Sequence, residues 1–558
     1  MAFRVNSQIE LSPFFGSCWQ LSEYQKKQLK KTWAYDYAEK VFPKINEERF
    51  GVMYSQNQAS RPNTPINILV SILFLKKLLN MTDEEMIQAV DFDYLMKYAL
   101  HLNSCPGQVV TTRTISRFRQ RLAQYMEETG IDLLKEENRA LADVFCKEMN
   151  ISGTFKRMDS IMIEANCKDM TRLELVYACI ENLVKLLKKN GRDDMLDGFE
   201  DFLQKGNRNN VIYRCKPDQA KDSLKELIVR SMELYSRAKD DYGQEDACRS
   251  LLRMFNDQIL WNGADTPENL SVWLASNKEI KATSLQNPSE PDATYRNKAG
   301  KGHTGYVGNF VEAVGEEGSI ITDYDEQKNV YPDQKFCEDV INDMGKQEER
   351  VTLVADGAYF SADNLDKATA NNIDLVSTAL ADKTPDGVIS EFVSDNDKHI
   401  VTKCPAGNAP ISCVYNEEKG QYTLRFTKAC CESCRYKENC KAKLLKNKEE
   451  AVVKIHHNTL VKANYLKNHT REEYKHIQNA RNGVEGIPSI MRRRYKIDKL
   501  PVRGLVRSKI WYSGIIGAIN VKSYLKVLRK RRKKKLIRGL FHLRCTLSIL
   551  SGQYAMAA

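Results

Sequence analysis

The segment Thr154–Asn166 constrains the fold most, because it carries a carboxylate inside an apolar strand. Its residues have a strand's composition, and a period of two places Asp159, Ile161 and Ile163 on one face. A carboxylate among apolar neighbours is costly unless something pairs with it, and a bound cation is one such partner. A lysine or a backbone amide at the strand edge is the alternative partner.

A second carboxylate follows a buried strand much later in the chain. Strand patterns over Val307–Val314 and Ser319–Thr322 flank a Gly-Glu-Glu-Gly turn, which predicts a β-hairpin. A helical pattern over Asp333–Met344 then precedes an apolar strand, Val351–Ala355, that ends at Asp356. This order predicts an α/β fold with a mixed sheet, and open α/β sheets bind ligands at the C-terminal ends of their strands.

The third carboxylate lies in a helical segment that begins near Thr470. Glu485 is flanked by Arg481 and Arg492, and Pro488 follows it closely. Proline lacks the N–H group that would bond to the carbonyl of the preceding turn. The sequence therefore predicts a helix that is kinked, or that restarts, just after Glu485.

Carboxylates contributed by separate elements of one sheet are suited to holding Mg²⁺. This hard ion prefers oxygen ligands and retains some of its water. Two such ions favour phosphodiester cleavage, because one activates the nucleophile and the other stabilises the leaving oxygen. Asp159, Asp356 and Glu485 are therefore the candidate catalytic and metal-binding residues, for Mg²⁺ or Mn²⁺. Asp323 and Asp325, at the hairpin end, are expected to be solvated turn residues.

Several short motifs occur in a definite order along the chain. They are Met158–Asn166 around Asp159, Pro291-Asp-Ala293 with Gly305-Tyr306, Ala355-Asp-Gly-Ala-Tyr359, Arg481-Asn-Gly-Val-Glu-Gly486 and, near the two ends, Arg61-Pro62, Ser116-Arg-Phe-Arg119 and Pro501-Val-Arg-Gly504. Together they resemble the bacterial insertion-sequence transposases with an Asp-Asp-Glu (DDE) active site on a ribonuclease H-like fold. The resemblance covers nearly the whole chain and rests on the order and spacing of the motifs.

The resemblance implies an enzyme that cuts and joins DNA at the terminal inverted repeats of its element. Water would attack the phosphate at the transposon end, and the released 3′-hydroxyl would then attack target DNA. Asp159 would bridge two metal ions, Asp356 and Glu485 would each complete one, and Arg481 or Arg492 would steady a phosphate. The implied partner is double-stranded DNA, bound by at least a homodimer because two ends are brought together.

These patterns divide the chain into a core with two insertions and flanking DNA-binding segments. The expected division is a helical DNA-binding domain at 1–150, the first part of the catalytic core at 151–378 with a helical insertion at about 170–275, a cysteine-rich insertion at 379–455, the last part of the core at 456–525 and a basic tail at 526–558.

The first 150 residues read as a compact module of helices. Thr64 at an N-cap and Pro65 at the first helical position predict one helix start, and Thr82 with Glu85 predicts a capping box at another. The last helix of the module packs one face and presents a second face that is basic, through Arg113, Arg117 and Arg121. This face is a candidate phosphate-binding surface, and a merely solvated basic face is the alternative.

Six of the fifteen cysteines fall between Cys404 and Cys440, and this clustering indicates that they share one local structural site. Four of them, Cys404, Cys431, Cys434 and Cys440, could supply the thiolates of one structural Zn²⁺ site. Residues that could replace or compete with one of these ligands are Cys413, Cys430, His456 and His457. Reduced thiols in a small core are an equal alternative to zinc.

The C-terminal segment Lys499–Ala558 carries fifteen Lys or Arg residues and no Asp or Glu, whereas the net charge of the whole chain is +12. Such one-sided charge indicates a polyanionic partner. The candidate contacts to DNA phosphates in this tail are Arg529, Arg531, Arg532 and Lys533. An anionic membrane surface is the alternative, which the other DNA-directed features disfavour.

Composition places the chain among soluble globular proteins, with 42% apolar and 28% charged residues. The N-terminus lacks the apolar region of a signal peptide, and no apolar run is long enough to cross a bilayer, so we expect a cytoplasmic protein without a membrane partner. Two other functions stay open. One is a catalytically inactive DNA-binding protein derived from a transposase, and the other is a nuclease of the same fold without strand transfer.

Overall fold

The computed structural model describes most of the chain. The described residues are 1–6, 20–57, 59–102, 110–216, 218–260, 274–298, 300–377, 385–395, 399–469, 474, 476–477, 479 and 482–555. Residues 469, 482, 536 and 538–555 are described by their backbone alone.

Helices occupy the N-terminal part of the chain, as the sequence predicted. They are α1 (Glu23–Leu29), α2 (Trp33–Lys40), α3 (Ile66–Leu79), α4 (Asp83–Phe92), α5 (Tyr94–Ala99), α6 (Thr112–Thr129) and α7 (Leu133–Glu148). Thr82 and Glu85 form the predicted capping box of α4. In α6 the residues at core spacing, Ile115, Phe118 and Leu122, are buried, which confirms that this helix packs through one face.

Helix α3 begins one residue later than predicted, because its cap comes from elsewhere in the chain. Pro65 occupies the N-cap position, and no side-chain cap bond forms there. Instead, the buried Glu47 carboxylate accepts hydrogen bonds from the backbone N–H groups of Ile66 (2.7 Å) and Asn67 (3.2 Å). Glu47 therefore satisfies two donors that a helix start leaves unpaired.

A mixed sheet lies at the centre of the molecule. Its strands are β1 (Phe155–Glu164), β2 (Thr294–Lys298), β3 (Lys301–Val314), β4 (Ser319–Lys328), β5 (Val351–Ala355) and β6 (Ile373–Ser377). β1 pairs antiparallel with β3 and parallel with β5, which pairs parallel with β6. β2 and β4 both pair antiparallel with β3. This arrangement is the ribonuclease H-like α/β class that the sequence predicted.

The β3–β4 hairpin continues further than the sequence predicted, so the expectation for two aspartates was wrong. Asp323 and Asp325 lie within β4 and are not solvated turn residues. Asp323 forms an ion pair with Arg139 (2.6 Å), and Asp325 forms one with Lys509 (3.2 Å). Their cationic partners come from helices distant in sequence, which hold this outer strand by charge as well as by packing.

The helical insertion between β1 and β2 has its own hydrophobic core. It contains α8 (Arg172–Lys189), α9 (Ala220–Tyr242) and α10 (Asp246–Gln258). Leu183, Ile228 and Leu251 are among the fully buried residues of this core. The insertion therefore buries its apolar faces internally and leaves the strand order of the sheet intact.

The central sheet is packed on both faces. On one face, Met158 and Leu353 pack with α11 (Asp333–Met344) and α12 (Ala362–Ala370). On the other face, Ile161 and Phe310 belong to a continuous core that includes the N-terminal helices. Since β1 alternates between the two faces, Asp159 shares the face of Ile161.

A small β-rich module follows β6. It contains β7 (Val393–Asp395), β8 (Ile400–Lys403), β9 (Ser412–Asn416), β10 (Gln421–Thr427), α13 (Lys428–Glu432), α14 (Lys437–Cys440), β11 (Lys443–Leu444) and β12 (Glu450–His456). One sheet has the order β11-β12-β10-β9, and β7 pairs with β8 separately. Its core is separate from that of the central sheet. α15 (His457–His469) leads out of the module.

The chain ends in two helices that return to the central sheet. A 3-10 turn over Asn482–Glu485 leads directly into α16 (Gly486–Tyr495), so the predicted restart after Glu485 is confirmed. Pro488 lies in the first turn of α16, where its missing N–H is tolerated. α17 (Leu505–Ala555) is one long helix that is buried at intervals as far as Val527. None of the helices in the described residues combines the length and apolarity needed to cross a membrane.

Candidate active site

Two of the candidate carboxylates occupy adjacent positions on neighbouring parallel strands. The pairing of β1 with β5 joins Arg157 to Val354. The same register, continued by two residues, sets Asp159 beside Asp356, which follows the C-terminal end of β5. Because side chains alternate along a strand, both carboxylates belong to the same face of the sheet. The sequence predicted the two residues, and the register indicates that they lie side by side.

Local backbone bonds orient both carboxylates. Asp159 Oδ1 accepts a hydrogen bond from the backbone N–H of Ser160 (2.9 Å). Asp356 Oδ1 accepts one from Gly357 (2.7 Å), where it caps a 3-10 turn over Gly357–Tyr359. Both aspartates are half-buried. Each side chain is therefore held by the backbone N–H of the following residue and keeps contact with solvent, as metal ligands on an accessible surface require.

Two buried tyrosines lie near Asp159 on opposite faces of the sheet, Tyr359 in the core of Met158 and Tyr512 in the core of Ile161. The Tyr359 hydroxyl accepts a hydrogen bond from Asn309 Nδ2 (2.7 Å), and the Tyr512 hydroxyl donates to the Asn309 carbonyl oxygen (3.4 Å). Burial raises the pKa of both tyrosines well above the usual value. Nearby carboxylates, including Asp159, raise it further. Both hydroxyls therefore stay protonated and neutral next to the carboxylates.

The third candidate carboxylate lies on the same side of the sheet but is exposed. Glu485 ends the 3-10 turn that packs against β1, and the preceding Val484 is fully buried in the core shared with Ile161. Across the residues that the structure describes, no group of three or more His, Cys, Asp or Glu side chains is arranged to hold a metal ion. The register of the fold thus aligns Asp159 with Asp356 and leaves Glu485 on the same face. The three carboxylates do not form a complete metal-ligand group among the described residues. Arg481 lies outside the described residues.

A buried ion pair beside the site was missed by the sequence analysis. Arg157 donates from Nε (3.1 Å) and Nη2 (2.6 Å) to the Glu312 carboxylate. Arg157 precedes Asp159 by two residues, so it lies on the same face of β1. The two-residue spacing from Asp159 could have identified Arg157 as a residue near the site. Glu312 could be recognised only from the pairing of β1 with β3.

The basic residues predicted to bind DNA fall into two groups in the structure. Arg113 and Arg117 are exposed on α6, and Arg492 is exposed on α16 beside Asp498 (3.8 Å). Arg121, in contrast, donates to the Met53 carbonyl oxygen and stacks over the ring of Tyr54 (4.5 Å). The free face of α6 is therefore formed by its N-terminal arginines.

The basic segment of α17 is divided in the same way. Arg531 forms an ion pair with Glu317, and Arg532 forms one with Asp36. Both guanidinium groups bind other parts of the same chain, and they fasten α17 to the body of the protein. Arg529 and Lys533 are exposed on the same helix.

The four predicted zinc ligands line one small apolar pocket in the β-rich module. The lining residues include Cys404, Cys431, Cys434 and Cys440, together with Cys430. Three of these cysteines lie in two tight turns, since Gly407 N–H donates to the Cys404 carbonyl (2.8 Å) and Cys434 N–H donates to the Cys431 carbonyl (3.4 Å). Cys413 is not among the lining residues, and its sulfur accepts a hydrogen bond from Val401.

The thiols in this pocket are close enough to influence one another. Burial raises the pKa of Cys440 to about 11, and the neighbouring Cys434 and Cys404 add to the shift. Burial also raises the pKa of Cys431, again with Cys404 as a neighbour. Without a cation Cys431 and Cys440 therefore stay protonated, whereas a bound metal would stabilise their thiolate forms.

Comparison with protein families gives two matches. Residues 23–121, which span α1 to the middle of α6, match a family described as Transposase domain (DUF772). Residues 403–525, which include the cysteine cluster, Glu485 and the first part of α17, match a family described as Transposase DDE domain. Asp159 and Asp356 lie outside both ranges. No curated protein matches the chain, and no solved structure matches it.

The chain is thus a mixed α/β protein that is similar to transposase domains over residues 23–121 and 403–525. Both matches support an insertion-sequence transposase of the DDE class. This conclusion agrees with the resemblance that the motifs suggested.

Proposed function

We propose that the chain binds the terminal inverted repeats of its element and catalyses metal-dependent DNA cleavage followed by strand transfer. The observation that carries this proposal is the β1–β5 register, which aligns Asp159 with Asp356 on one face of the sheet. Continued by two residues, this register would set two carboxylates from distant parts of the chain side by side at the C-terminal end of β5, where α/β sheets bind ligands.

The donor set suits a hard divalent cation. Asp159, Asp356 and Glu485 offer only carboxylate oxygens, and these are the ligands that Mg²⁺ and Mn²⁺ prefer. When bound, such ions would activate the nucleophile and stabilise the leaving oxygen. The chain's own contribution is to hold two carboxylates in register and to supply the third from the turn that packs against β1.

The exposed arginines support a path for the DNA backbone. We infer that Arg113 and Arg117 contact phosphates along α6, and that Arg529 and Lys533 do so along α17. Arg492 lies two turns along the helix that begins after Glu485, which favours a phosphate contact near the cleavage site. Because these contacts go to phosphates, they provide affinity and orientation without reading the sequence.

Cleavage of a labelled DNA end tests the proposal. The substrate is the sequence that flanks the gene, with Mg²⁺ or Mn²⁺, and the variants are Asp159→Asn, Asp356→Asn and Glu485→Gln. Each variant should lower the rate by more than about 100-fold, since even residues behind the ligands cost 10–100-fold at metal sites. Glu164→Gln, at the far end of the same strand, is the matched control and should cleave normally.

The products distinguish the three possible functions. Joining of the cleaved end to a second DNA molecule would support transposition, and nicking without joining would indicate a nuclease. Binding of the end without any cleavage would indicate an inactive descendant of a transposase. Sedimentation of the protein–DNA complex should reveal at least two chains, because two ends must be joined together.

We also propose that Cys404, Cys431, Cys434 and Cys440 bind one structural Zn²⁺. Their shared pocket supports the proposal, and metal binding would have to draw the four sulfurs together, because they do not form a ligand group in the structure. Metal analysis of the purified protein should give one zinc per chain. Cys434→Ser should lose zinc and lower the melting temperature, whereas Cys413→Ser should retain the metal. A zinc content well below one per chain would contradict the proposal.

A further inference from the structure

The buried pair of Arg157 and Glu312 joins β1 to β3 beside the turn that carries Glu485. The side chains of Arg157 and Glu312 are only 10% and 4% exposed, and two hydrogen bonds join them. Charge-assisted bonds of this kind hold a planar guanidinium in one orientation. Arg157 and Asp159 are two residues apart on one strand face, which corresponds to about 6–7 Å.

Gly483 lies directly against this guanidinium. A Cβ atom added at Gly483 would come 2.1 Å from Arg157 Nη1 and 3.1 Å from its Cζ. The end of a free arginine could move aside, but this one is buried and bonded to Glu312. Gly483 has no left-handed backbone angle, so glycine serves here to give room for close approach. The turn can therefore pack this closely on β1 only because residue 483 has no side chain.

We propose that Arg157 is a positioning residue, which sets the location of Glu485 relative to Asp159 and Asp356 by fixing the turn at Gly483. The buried Val484 anchors the same turn in the core that contains Ile161. Glu485 is the next residue, so a displacement of Gly483 is transmitted to it through two peptide units. The inference rests on the proposed role of Glu485 as a metal ligand.

The experiment compares two glycines of one segment. Gly483→Ala introduces the close contact, whereas Gly486→Ala adds a methyl group where no atom lies within 4 Å and serves as the matched control. Binding of Mn²⁺ to the protein–DNA complex is followed by electron paramagnetic resonance of the free ion, with end cleavage measured in parallel. We expect Gly483→Ala to weaken Mn²⁺ binding about 10-fold, as loss of support behind a ligand does, and Gly486→Ala to leave it unchanged.

A second background separates positioning from simple loss of folding. Arg157→Met combined with Glu312→Gln removes both charges at similar volume and removes the guanidinium that Gly483→Ala would strike. In that background Gly483→Ala should have little further effect on Mn²⁺ binding. If Gly483→Ala weakens Mn²⁺ binding as much in this background as it does alone, the inference is overturned.

The remaining outcomes distinguish this inference from the proposed function. If Glu485→Gln weakens Mn²⁺ binding while Gly483→Ala behaves like Gly486→Ala, the positioning role is wrong and the proposed function stands. If Glu485→Gln leaves Mn²⁺ binding unchanged, Glu485 is not a ligand, and both claims fail.

Discussion

At the scale of single residues, Glu47 shows how a buried carboxylate can replace a local helix cap. It accepts hydrogen bonds from the N–H groups of Ile66 and Asn67 at the start of α3, and from that of Asn6 (2.8 Å). One carboxylate thus satisfies three backbone donors. The residue therefore joins the N-terminal segment to a helix in the main core.

Glu47→Ala should destabilise the protein, because it leaves buried backbone donors without acceptors. We expect the free energy of unfolding to fall by about 1–3 kcal/mol, the usual cost of unsatisfied buried groups. Urea unfolding measures it, with the exposed neighbour Glu48→Ala as the control. Equal stability of the two variants would show that the cap has no energetic role.

Glu326 gives a prediction for pH dependence. Burial raises its pKa to about 8, and Ser508 donates a hydrogen bond to its carboxyl group. Since the pKa is higher in the folded than in the unfolded state, folding favours the protonated form. The associated stability is complete below about pH 4.5 and is lost as the pH rises towards 8.

Glu326→Gln should therefore flatten the pH dependence of the melting temperature between about pH 5 and 8. The amide keeps the shape of the side chain but cannot ionise. The exposed Glu316→Gln, on the same hairpin, is the control and should leave the pH profile unchanged. A variant that retains the full slope would place the titrating group elsewhere.

At the scale of elements, α17 is both a packing helix and a basic one. Arg531 and Arg532 bind Glu317 and Asp36, whereas Arg529 and Lys533 face solvent. Deletion of the whole tail would remove those ion pairs and the buried Val527. Substitution of the exposed pair is therefore the cleaner test of DNA binding.

The double variant Arg529→Gln with Lys533→Gln should reduce the salt dependence of DNA binding. Each phosphate contact contributes about 0.9 to the slope of log K against log salt concentration, so the slope should fall by about 1.8. The matched control replaces Lys221 and Lys225, an exposed pair with the same spacing in α9. An unchanged slope would argue against contacts from α17.

Much of the element pattern could be predicted from local sequence. The apolar run Val351–Ala355 and the helical pattern of Asp333–Met344 appear in the structure with the predicted bounds. The length of β4 could not be predicted, because Asp323 and Asp325 look like turn residues until their distant partners Arg139 and Lys509 are known. Local patterns predict elements, whereas pairing between distant segments decides where charged residues are tolerated.

At the scale of the whole molecule, the site depends on contacts between parts that are far apart in sequence. The sequence predicted Asp159, Asp356 and Glu485 through motifs, but the strand register that aligns the first two could not be read from it. The close approach of Gly483 to Arg157 could not be read from the sequence either, because it depends on how the turn packs against β1. Such relations arise from tertiary packing and leave no periodic signal.

One continuous core joins the N-terminal helices, the Asp159 face of the sheet and α17. The exposed arginines of α6 and the basic residues of α17 are therefore attached to the same packed body as the carboxylates. In a close-packed core the elements hold fixed positions relative to one another. DNA held on these helices would consequently be held in a defined position relative to the candidate active site.

Anomalous diffraction from Mn²⁺, in crystals of the protein bound to its DNA end, tests the central claim most directly. The account predicts anomalous density in contact with the carboxylates of both Asp159 and Asp356, with Glu485 drawn in as a further ligand. Density at other carboxylates, with none beside this aligned pair at saturating Mn²⁺, would contradict it.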